Sequence, residues 1–215
     1  MDDSGSFEEV LQRLRDHKKR DPRSVRLAAV TAAIIDITGD DFSPTKVYAS
    51  TVATLEGTLT LEGSDSLSTQ VALLELLKST VPHVSPGALS ATLPASSRVL
   101  RAVVTSCQSV GAEDPSETKD ELGGINATLR SACRAVTEIL RKLPQSTNEK
   151  LVRQFFHGTL LNLFDDRRPK VRKAAQSGCL DVLMTESCHL VIGQSLTAFS
   201  HQHLERARKG KGDNA

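Results

Sequence analysis

The sequence contains very few aromatic residues: there is no tryptophan, and only one tyrosine and six phenylalanines occur among 215 residues. β-Sandwiches and barrels depend on aromatic and β-branched strand residues. A half-buried strand also shows apolar residues at every second position, and such alternation occurs here only briefly, over residues 58–61. These two shortages argue against a fold built from β-sheets.

Long apolar runs and paired cysteines are also missing. No apolar run approaches the ~20 residues that a membrane-spanning helix needs, and the polar, acidic residues 1–5 predict no secretory signal. The four cysteines form no Cys-x-x-Cys pair and lie in or beside helix-like segments; they are Cys107, Cys133, Cys179 and Cys188. We therefore expect reduced core thiols in an intracellular protein that does not contact a membrane.

The usual sequence motifs of catalytic and cofactor-binding sites do not occur. The glycines form neither a phosphate-binding loop nor a dinucleotide-binding motif, and no serine is framed as a hydrolase nucleophile. The histidines and cysteines do not form the two compact pairs that typically hold zinc. We expect a protein that is not an enzyme and that needs no cofactor, metal or small-molecule substrate.

Helical periodicity and helix-start signals are present along nearly the whole chain. Apolar residues recur at three- and four-residue spacing, and helix starts are predicted at Ser6, Asp21–Pro22 and Ser43–Pro44. Ser85–Pro86 and Pro94 frame a short helix that a further helix follows. The count is about ten helices of ~10–20 residues with short connections, which predicts an all-α fold of antiparallel helix pairs.

Charge is distributed unevenly, although the formal net charge is only +1. Residues 31–122 carry twelve acidic and five basic side chains, whereas residues 123–215 carry eight acidic and fifteen basic ones. An acidic and a basic part of one chain can contact different partners.

Residues 165–175 have the pattern of a tight turn between two helices. They read Asp-Asp-Arg-Arg-Pro-Lys-Val-Arg-Lys-Ala-Ala and lie between two helix-periodic apolar stretches. Asp165 and Asp166 can accept hydrogen bonds from the free N–H groups of the second helix, and Pro169 suits its first turn. The pattern resembles a HEAT repeat, the unit of a class of α-solenoids that usually serve as surfaces for partners. In HEAT-like proteins an Asp and an Arg commonly link neighbouring repeats, and the matching positions are Asp166 and Arg172.

The same turn carries a basic cluster at the start of its second helix. Arg167, Arg168, Lys170 and Lys173 are candidates for contact with RNA phosphates or with an acidic partner, and a helix N-terminus favours such contacts. The alternative is that these side chains are solvated and only support the turn. No aromatic residue lies among them, so nucleic-acid binding would be directed at the backbone and sensitive to salt.

Three segments extend the resemblance to one family. Residues 164–176 resemble a "D-R-P-K-V-R-K-x-A-Q" segment, residues 43–49 a "S-P-T-x-Y-F-A" helix start, and residues 71–84 a "LLxLLxxVLPHV" segment. All three are features of the large HEAT-repeat ribosome-biogenesis factors called ribosomal-RNA-processing protein twelve, and they follow in the order of that family's N-terminal region. Family members are several times longer, so we expect the chain to be a fragment, a domain or a short divergent relative.

The sequence therefore predicts one α-solenoid segment of HEAT/armadillo-like helix pairs over residues 1–208, with a flexible basic and polar tail at residues 209–215. The resemblance implies a non-catalytic scaffold in ribosome biogenesis that associates with small-subunit precursor particles and assists their maturation or nuclear export. Its partners would be pre-rRNA, assembly proteins and transport factors, in the nucleus and nucleolus with shuttling to the cytoplasm. The alternative is a generic α-solenoid protein-binding adaptor, importin-like or phosphatase-scaffold-like.

Overall fold

The computed structural model describes residues 6–16, 21–39, 42–61, 64–109, 119–185 and 190–212. Within these ranges nine α-helices follow one another: α1 (Phe7–Arg15), α2 (Pro22–Thr38), α3 (Pro44–Thr58), α4 (Ser64–Thr80), α5 (Pro86–Ser109), α6 (Lys119–Lys142), α7 (Glu149–Phe156), α8 (Pro169–Leu183) and α9 (Leu190–Gly212). A 3₁₀ turn, Val81–His83, follows α4, and a π-helical turn, His157–Leu161, extends α7. No strand occurs in the described ranges, and the predicted all-α class is confirmed.

Local side-chain hydrogen bonds determine where several helices begin. At α1, Ser6 Oγ accepts from the Glu9 N–H at 3.3 Å, and the Glu9 carboxylate accepts from the Ser6 N–H at 3.2 Å. Asp21 and Ser43 each accept from the backbone N–H three residues later and are each followed by a proline in the first turn. These bonds satisfy donors that a helix start leaves unpaired. The starts predicted at Ser6, Asp21 and Ser43 are therefore confirmed.

The helices form two layers. In one layer α4 packs between α2 and α6, and α6 packs between α4 and α8. In the other layer α5 packs between α3 and α7, and α9 packs against α7. Helices that are neighbours in the chain also pack across the layers, which gives four successive pairs from α1–α2 to α7–α8, the last through the π-helical turn. Repetition of one helix pair along an axis is the architecture of an α-solenoid, as predicted.

The core lies between the two layers, and α4 is covered on most of its sides. Leu73, Leu74, Leu76 and Leu77 are each 0% exposed, although together they point to several sides of α4. A helix that is apolar around most of its circumference must be covered on most sides. Here α2, α3 and α6 cover it.

The single tyrosine connects the second and third helix pairs. Tyr48 on α3 is buried, and its hydroxyl lies 2.7 Å from Ser96 Oγ on α5. Burial raises the pKa of Tyr48 to about 12, and the hydrogen bonds to Ser96 and Thr92 only partly oppose this rise. Because a buried hydroxyl needs a hydrogen-bond partner, this contact favours one placement of α3 against α5.

The predicted helix boundary at Pro94 is wrong, and this error accounts for the expectation of about ten helices. Pro94 lies inside α5, which is one continuous helix. A proline inside a helix removes one backbone hydrogen bond and disfavours the preceding turn. However, α5 buries Leu89 and Leu93 before Pro94 and Leu100 after it, so tertiary packing holds both halves in one helix.

The last helix is longer than the sequence predicted. α9 continues to Gly212, so the backbone of residues 209–212, which we assigned to the tail, is helical. Residues 213–215 lie outside the described ranges. The flexibility of the tail stays a prediction.

Candidate interaction surface

The turn between α7 and α8 is held by an ion pair between Asp166 and Arg168. The carboxylate accepts from Nε and Nη2 of Arg168, each at 2.8 Å, and from its backbone N–H at 2.9 Å. The side chain of Asp166 is only 4% exposed and that of Arg168 only 15% exposed. Burial alone would raise the pKa of Asp166, but the hydrogen bonds and the charge of Arg168 outweigh it, and the pKa lies below its ordinary value. The carboxylate is therefore ionised at neutral pH.

Arg168 also connects this turn to the preceding helix pair. Its Nη1 donates to the carbonyl oxygen of Cys107 on α5 at 3.2 Å. Arg172 donates from Nη1 to the backbone carbonyl oxygen of Asp166 at 2.9 Å, within its own helix pair. Arg168, a predicted contact residue, thus has structural partners on two sides of its guanidinium. The link that we expected Asp166 and Arg172 to make between neighbouring repeats stays a prediction.

The other predicted contact residues lie at the start of α8. Arg167, Lys170 and Lys173 are all exposed, and the two lysines line a groove of about 590 Å³ between α4, α6 and α8. Three helices supply the basic lining of this groove, which consists of Lys78, Arg130, Arg134, Lys170 and Lys173. Its acidic lining residues are only Glu138 and Asp181.

A carboxylate on α4 neutralises part of this charge. Glu75 Oε1 accepts from Ser131 Oγ at 2.8 Å and from Arg134 Nη1 at 3.4 Å, and Lys78 Nζ lies 3.8 Å from Glu75 Oε2. The hydrogen bonds from Ser131 and Arg134 connect α6 to α4, whereas Lys78 is on α4 itself. These contacts leave Arg134 and Lys78 partly neutralised.

Other cations of this groove have no carboxylate partner in the part of the chain that the structure describes. Among the described residues, Arg130, Lys170 and Lys173 have no ion pair. They lie on α6 and α8, on facing sides of the groove. The groove therefore presents uncompensated positive charge to solvent.

The groove depends on a close approach of α6 and α8. A Cβ added to Gly178 on α8 would lie 2.3 Å from Thr137 Oγ1 on α6. Thr137 is buried, and its hydroxyl donates to the Cys133 carbonyl oxygen at 2.8 Å. Only glycine fits at this position without displacing its neighbour.

A second groove, of about 670 Å³, crosses α2, α4 and α6. Arg130 and Arg134 line both grooves and so join them into one surface. We call its cations on α2, α6 and α8 the basic face; they are Arg23, Arg26, Arg130, Arg134, Lys170 and Lys173. The contact residues predicted from the sequence include only the α8 part of this face, because the other helices are far away in the chain and only stacking brings them together. The four-residue spacing of Arg130 and Arg134, which places both on one side of α6, is the signal that could have indicated more.

This stack of helix pairs agrees with a comparison to known families. The family described as "RRP12-like, N-terminal HEAT repeats" matches residues 1–206. The chain belongs to this family. The helix pairs are therefore HEAT repeats, and the resemblance based on three segments is confirmed. No curated protein and no solved structure matched the chain.

The described cysteines of these HEAT repeats are core residues. Cys107, Cys133 and Cys179 are buried free thiols. Burial raises the pKa of Cys107 to about 11 and the pKa values of Cys133 and Cys179 to about 12. Cys188 lies outside the described ranges.

Membrane-spanning helices and metal-binding clusters are both absent from the described ranges. None of the helices there combines the length and apolarity needed to cross a bilayer. No group of three or more His, Cys, Asp or Glu side chains in that part of the chain is placed to hold a metal ion.

Proposed function

We propose that this HEAT-repeat protein is a non-catalytic scaffold in ribosome biogenesis. It associates with small-subunit precursor particles, through both pre-rRNA and assembly proteins, and assists their maturation or nuclear export. Membership of the RRP12-like family supports this role. The proposal places the protein in the nucleus and nucleolus, with shuttling to the cytoplasm and contacts to transport factors.

The basic face is the structural observation that carries this proposal. Lys170 and Lys173 of α8 and Arg130 of α6 have no ion pair among the described residues, and they line one groove. Cations that have no internal partner are available for phosphates of RNA or carboxylates of a protein. Arg167 is exposed beside them at the same helix start, where the helix dipole also favours anions.

The composition of the groove predicts how RNA would be bound. No aromatic residue is among its lining residues, so stacking with bases is not available. Contact would be with the phosphate backbone, which gives weak sequence preference and a strong dependence on salt concentration. A scaffold that contacts a large RNA at several points does not need base recognition at each of them.

A generic α-solenoid adaptor, importin-like or phosphatase-scaffold-like, is the second candidate. The groove across α2, α4 and α6 favours it, because apolar residues of all three helices line this groove. An adaptor of this kind would bind segments of other proteins without any link to ribosomal RNA.

Purification with crosslinking distinguishes the two candidates. The tagged chain is crosslinked in cells and purified, and both the RNA and the proteins bound to it are sequenced. Recovery of small-subunit pre-rRNA with assembly proteins is the expected result, and the double variant Lys170→Glu/Lys173→Glu should reduce the RNA yield. Recovery of transport cargo or phosphatase subunits without pre-rRNA would support the adaptor instead.

A further inference from the structure

The groove across α2, α4 and α6 is a concave surface with a helix on each side, in addition to being part of the basic face. α2 and α6 form its two walls, and α4, which packs between them, supplies residues between the walls. Its volume is about 670 Å³. The groove extends from the first turn of α2 along α4, as far as Glu75, and along α6 from Gly123 to Arg134.

Apolar side chains line the interior of this groove. Leu27 of α2, Leu67 and Val71 of α4 and Ala127 of α6 all line it, and each is only half-buried. Their remaining exposed surface is contiguous with the buried core, since Leu27 and Leu67 pack against it. Covering such surface with apolar groups of a partner is favourable by about 25 cal/mol per Å².

Arginines line both walls of the groove, beside the apolar residues. Arg23 and Arg26 lie on α2, and Arg130 and Arg134 lie on α6. Arg26 pairs with Asp65 at 2.8 Å, and Arg134 pairs with a carboxylate of α4 at 3.4 Å. Arg23 and Arg130, one on each wall, have no ion pair among the described residues.

Two glycines leave the α6 wall without side chains at one end of the groove. A Cβ at Gly124 would lie 3.2 Å from Leu67 Cδ1, so α6 approaches α4 closely there. A Cβ at Gly123 would have no heavy atom within 4 Å. The space beside Gly123 is therefore open.

We propose that the α2–α4–α6 groove binds an acidic, amphipathic helix of a partner protein. The apolar side of such a helix would cover Leu27, Leu67 and Val71, and its flanking carboxylates would meet Arg23 on one wall and Arg130 on the other. Arginine forms two-point hydrogen bonds with carboxylates, and an amphipathic helix in an apolar groove is a recurring mode of recognition. This inference goes beyond the proposed function and does not depend on ribosomal partners.

RNA is a poorer match for this groove than a protein helix. Its interior is apolar and contains no aromatic side chain for stacking. Asp65 and Glu75 also line it and pair with Arg26 and Arg134, so only some of its arginines are left for the many phosphates of an RNA strand. An amphipathic helix suits both the apolar interior and the charged walls. It presents apolar groups to the interior and carboxylates only along the walls that carry the arginines.

A random-peptide display library tests the chemistry of the occupant without knowledge of the partner. Peptides of about 16 residues, ~24 Å long when helical, are selected on the purified 215-residue chain. We expect enriched peptides with apolar residues at i, i+3 or i+4 and i+7 and with Asp or Glu beside them. Affinities of the selected peptides are then measured by fluorescence anisotropy. Enrichment of basic or non-amphipathic peptides, or no enrichment, would contradict the proposal.

Two variants with matched controls locate the binding site. Gly123→Phe fills the open end of the groove. Arg23→Glu/Arg130→Glu reverses the two unpaired wall charges. Each variant should weaken binding of the selected peptides by about tenfold or more, and a tenfold change equals about 1.4 kcal/mol. Gly57→Phe on α3, where a Cβ also has no neighbour within 4 Å, and Lys150→Glu/Arg153→Glu on α7 should leave affinity unchanged. Circular dichroism checks that each variant is folded, and the charge variant remains informative if the phenylalanine is not tolerated.

Three outcomes would overturn the proposal. The first is unchanged peptide affinity in both groove variants. The second is displacement of the peptides by poly(U) that itself requires Arg23 and Arg130, which would make the groove an RNA site. The third is a dimer, seen by light scattering, that Gly123→Phe dissociates, which would make a second copy the occupant. The first and third results do not bear on association with pre-rRNA in cells.

Discussion

The guanidinium of Arg168 and the carboxylate of Asp166 form a two-point ion pair, with both N···O distances at 2.8 Å, at the turn between α7 and α8. Because the same guanidinium donates to the carbonyl oxygen of Cys107, the pair joins this turn to the end of α5. This ion pair therefore supports the shape of the α7–α8 pair and also its position against the α5–α6 pair. Lys170, which lines the groove between α4, α6 and α8, follows Arg168 by two residues.

Asp166→Asn should lower the free energy of unfolding by about 1.5–3 kcal/mol, because it removes charge-assisted hydrogen bonds from a guanidinium that is largely buried. Urea denaturation at pH 7 measures the change. Glu56→Gln is the control, since the Glu56–Arg98 pair is exposed at 41% and 65% and should contribute less than about 1 kcal/mol. Equal effects of the two changes would show that the Asp166 pair has no special structural role.

The contribution of Asp166 to stability should depend on pH in one direction. Its pKa in the folded protein lies below its ordinary value, so the unfolded chain binds the proton more readily. The contribution is therefore fully present above the unfolded pKa of about 4 and is lost as the pH falls through the folded pKa. In urea denaturation, the difference between the unmodified protein and Asp166→Asn should shrink below a pH of about 4. A difference that grows on acidification would contradict this sign.

Gly178→Ala should destabilise the protein by about 1–3 kcal/mol, because the new methyl group meets the buried hydroxyl of Thr137. Gly193→Ala on α9 is the matched control. A Cβ there has no neighbour within 4 Å, and the better helix propensity of alanine should stabilise α9 by up to about 1 kcal/mol. Thermal unfolding should show a lower melting temperature for Gly178→Ala and a higher one for Gly193→Ala. Stabilisation by both substitutions would mean that α8 and α6 are not tightly packed at Gly178.

Lys170→Glu/Lys173→Glu should weaken binding of single-stranded RNA and reduce its salt dependence. If both lysines contact phosphates, the slope of log K against log salt should fall in magnitude by about 1.4, at ~0.7 per contact. Titrations with poly(U) at several salt concentrations measure the slope. Lys150→Glu/Arg153→Glu makes the same change of charge on α7, and an equal loss in that variant would show that only net charge matters.

The three described cysteines should react slowly with thiol reagents in the folded protein. Only the thiolate is a nucleophile, and burial raises the pKa values of Cys107, Cys133 and Cys179 to about 11 or 12. Mass spectrometry after mild alkylation at neutral pH should find these three sites unmodified, and all should become modified in guanidinium chloride. Rapid modification of Cys133 or Cys179 under native conditions would mean that α6 and α8 separate readily.

The sequence alone was sufficient for the helix starts at Ser6, Asp21 and Ser43. The caps at Ser6, Asp21 and Ser43 were predictable because each is satisfied by an N–H three residues away in the chain. Pro94 shows the limit of such local reasoning, since its intrinsic preference for a boundary is overridden by the burial of Leu93 and Leu100 in the same helix.

The sequence by itself determined the helical class, most helix boundaries and the presence of basic residues at the start of α8, because these properties depend on residues within one or two helical turns. Only the tertiary structure decided which cations meet. Stacking brings Arg130 and Lys170 into the lining of one groove and brings Arg168 to the carbonyl oxygen of Cys107. Such pairings depend on how closely whole helices approach each other, and side-chain volumes such as that missing at Gly178 set this distance.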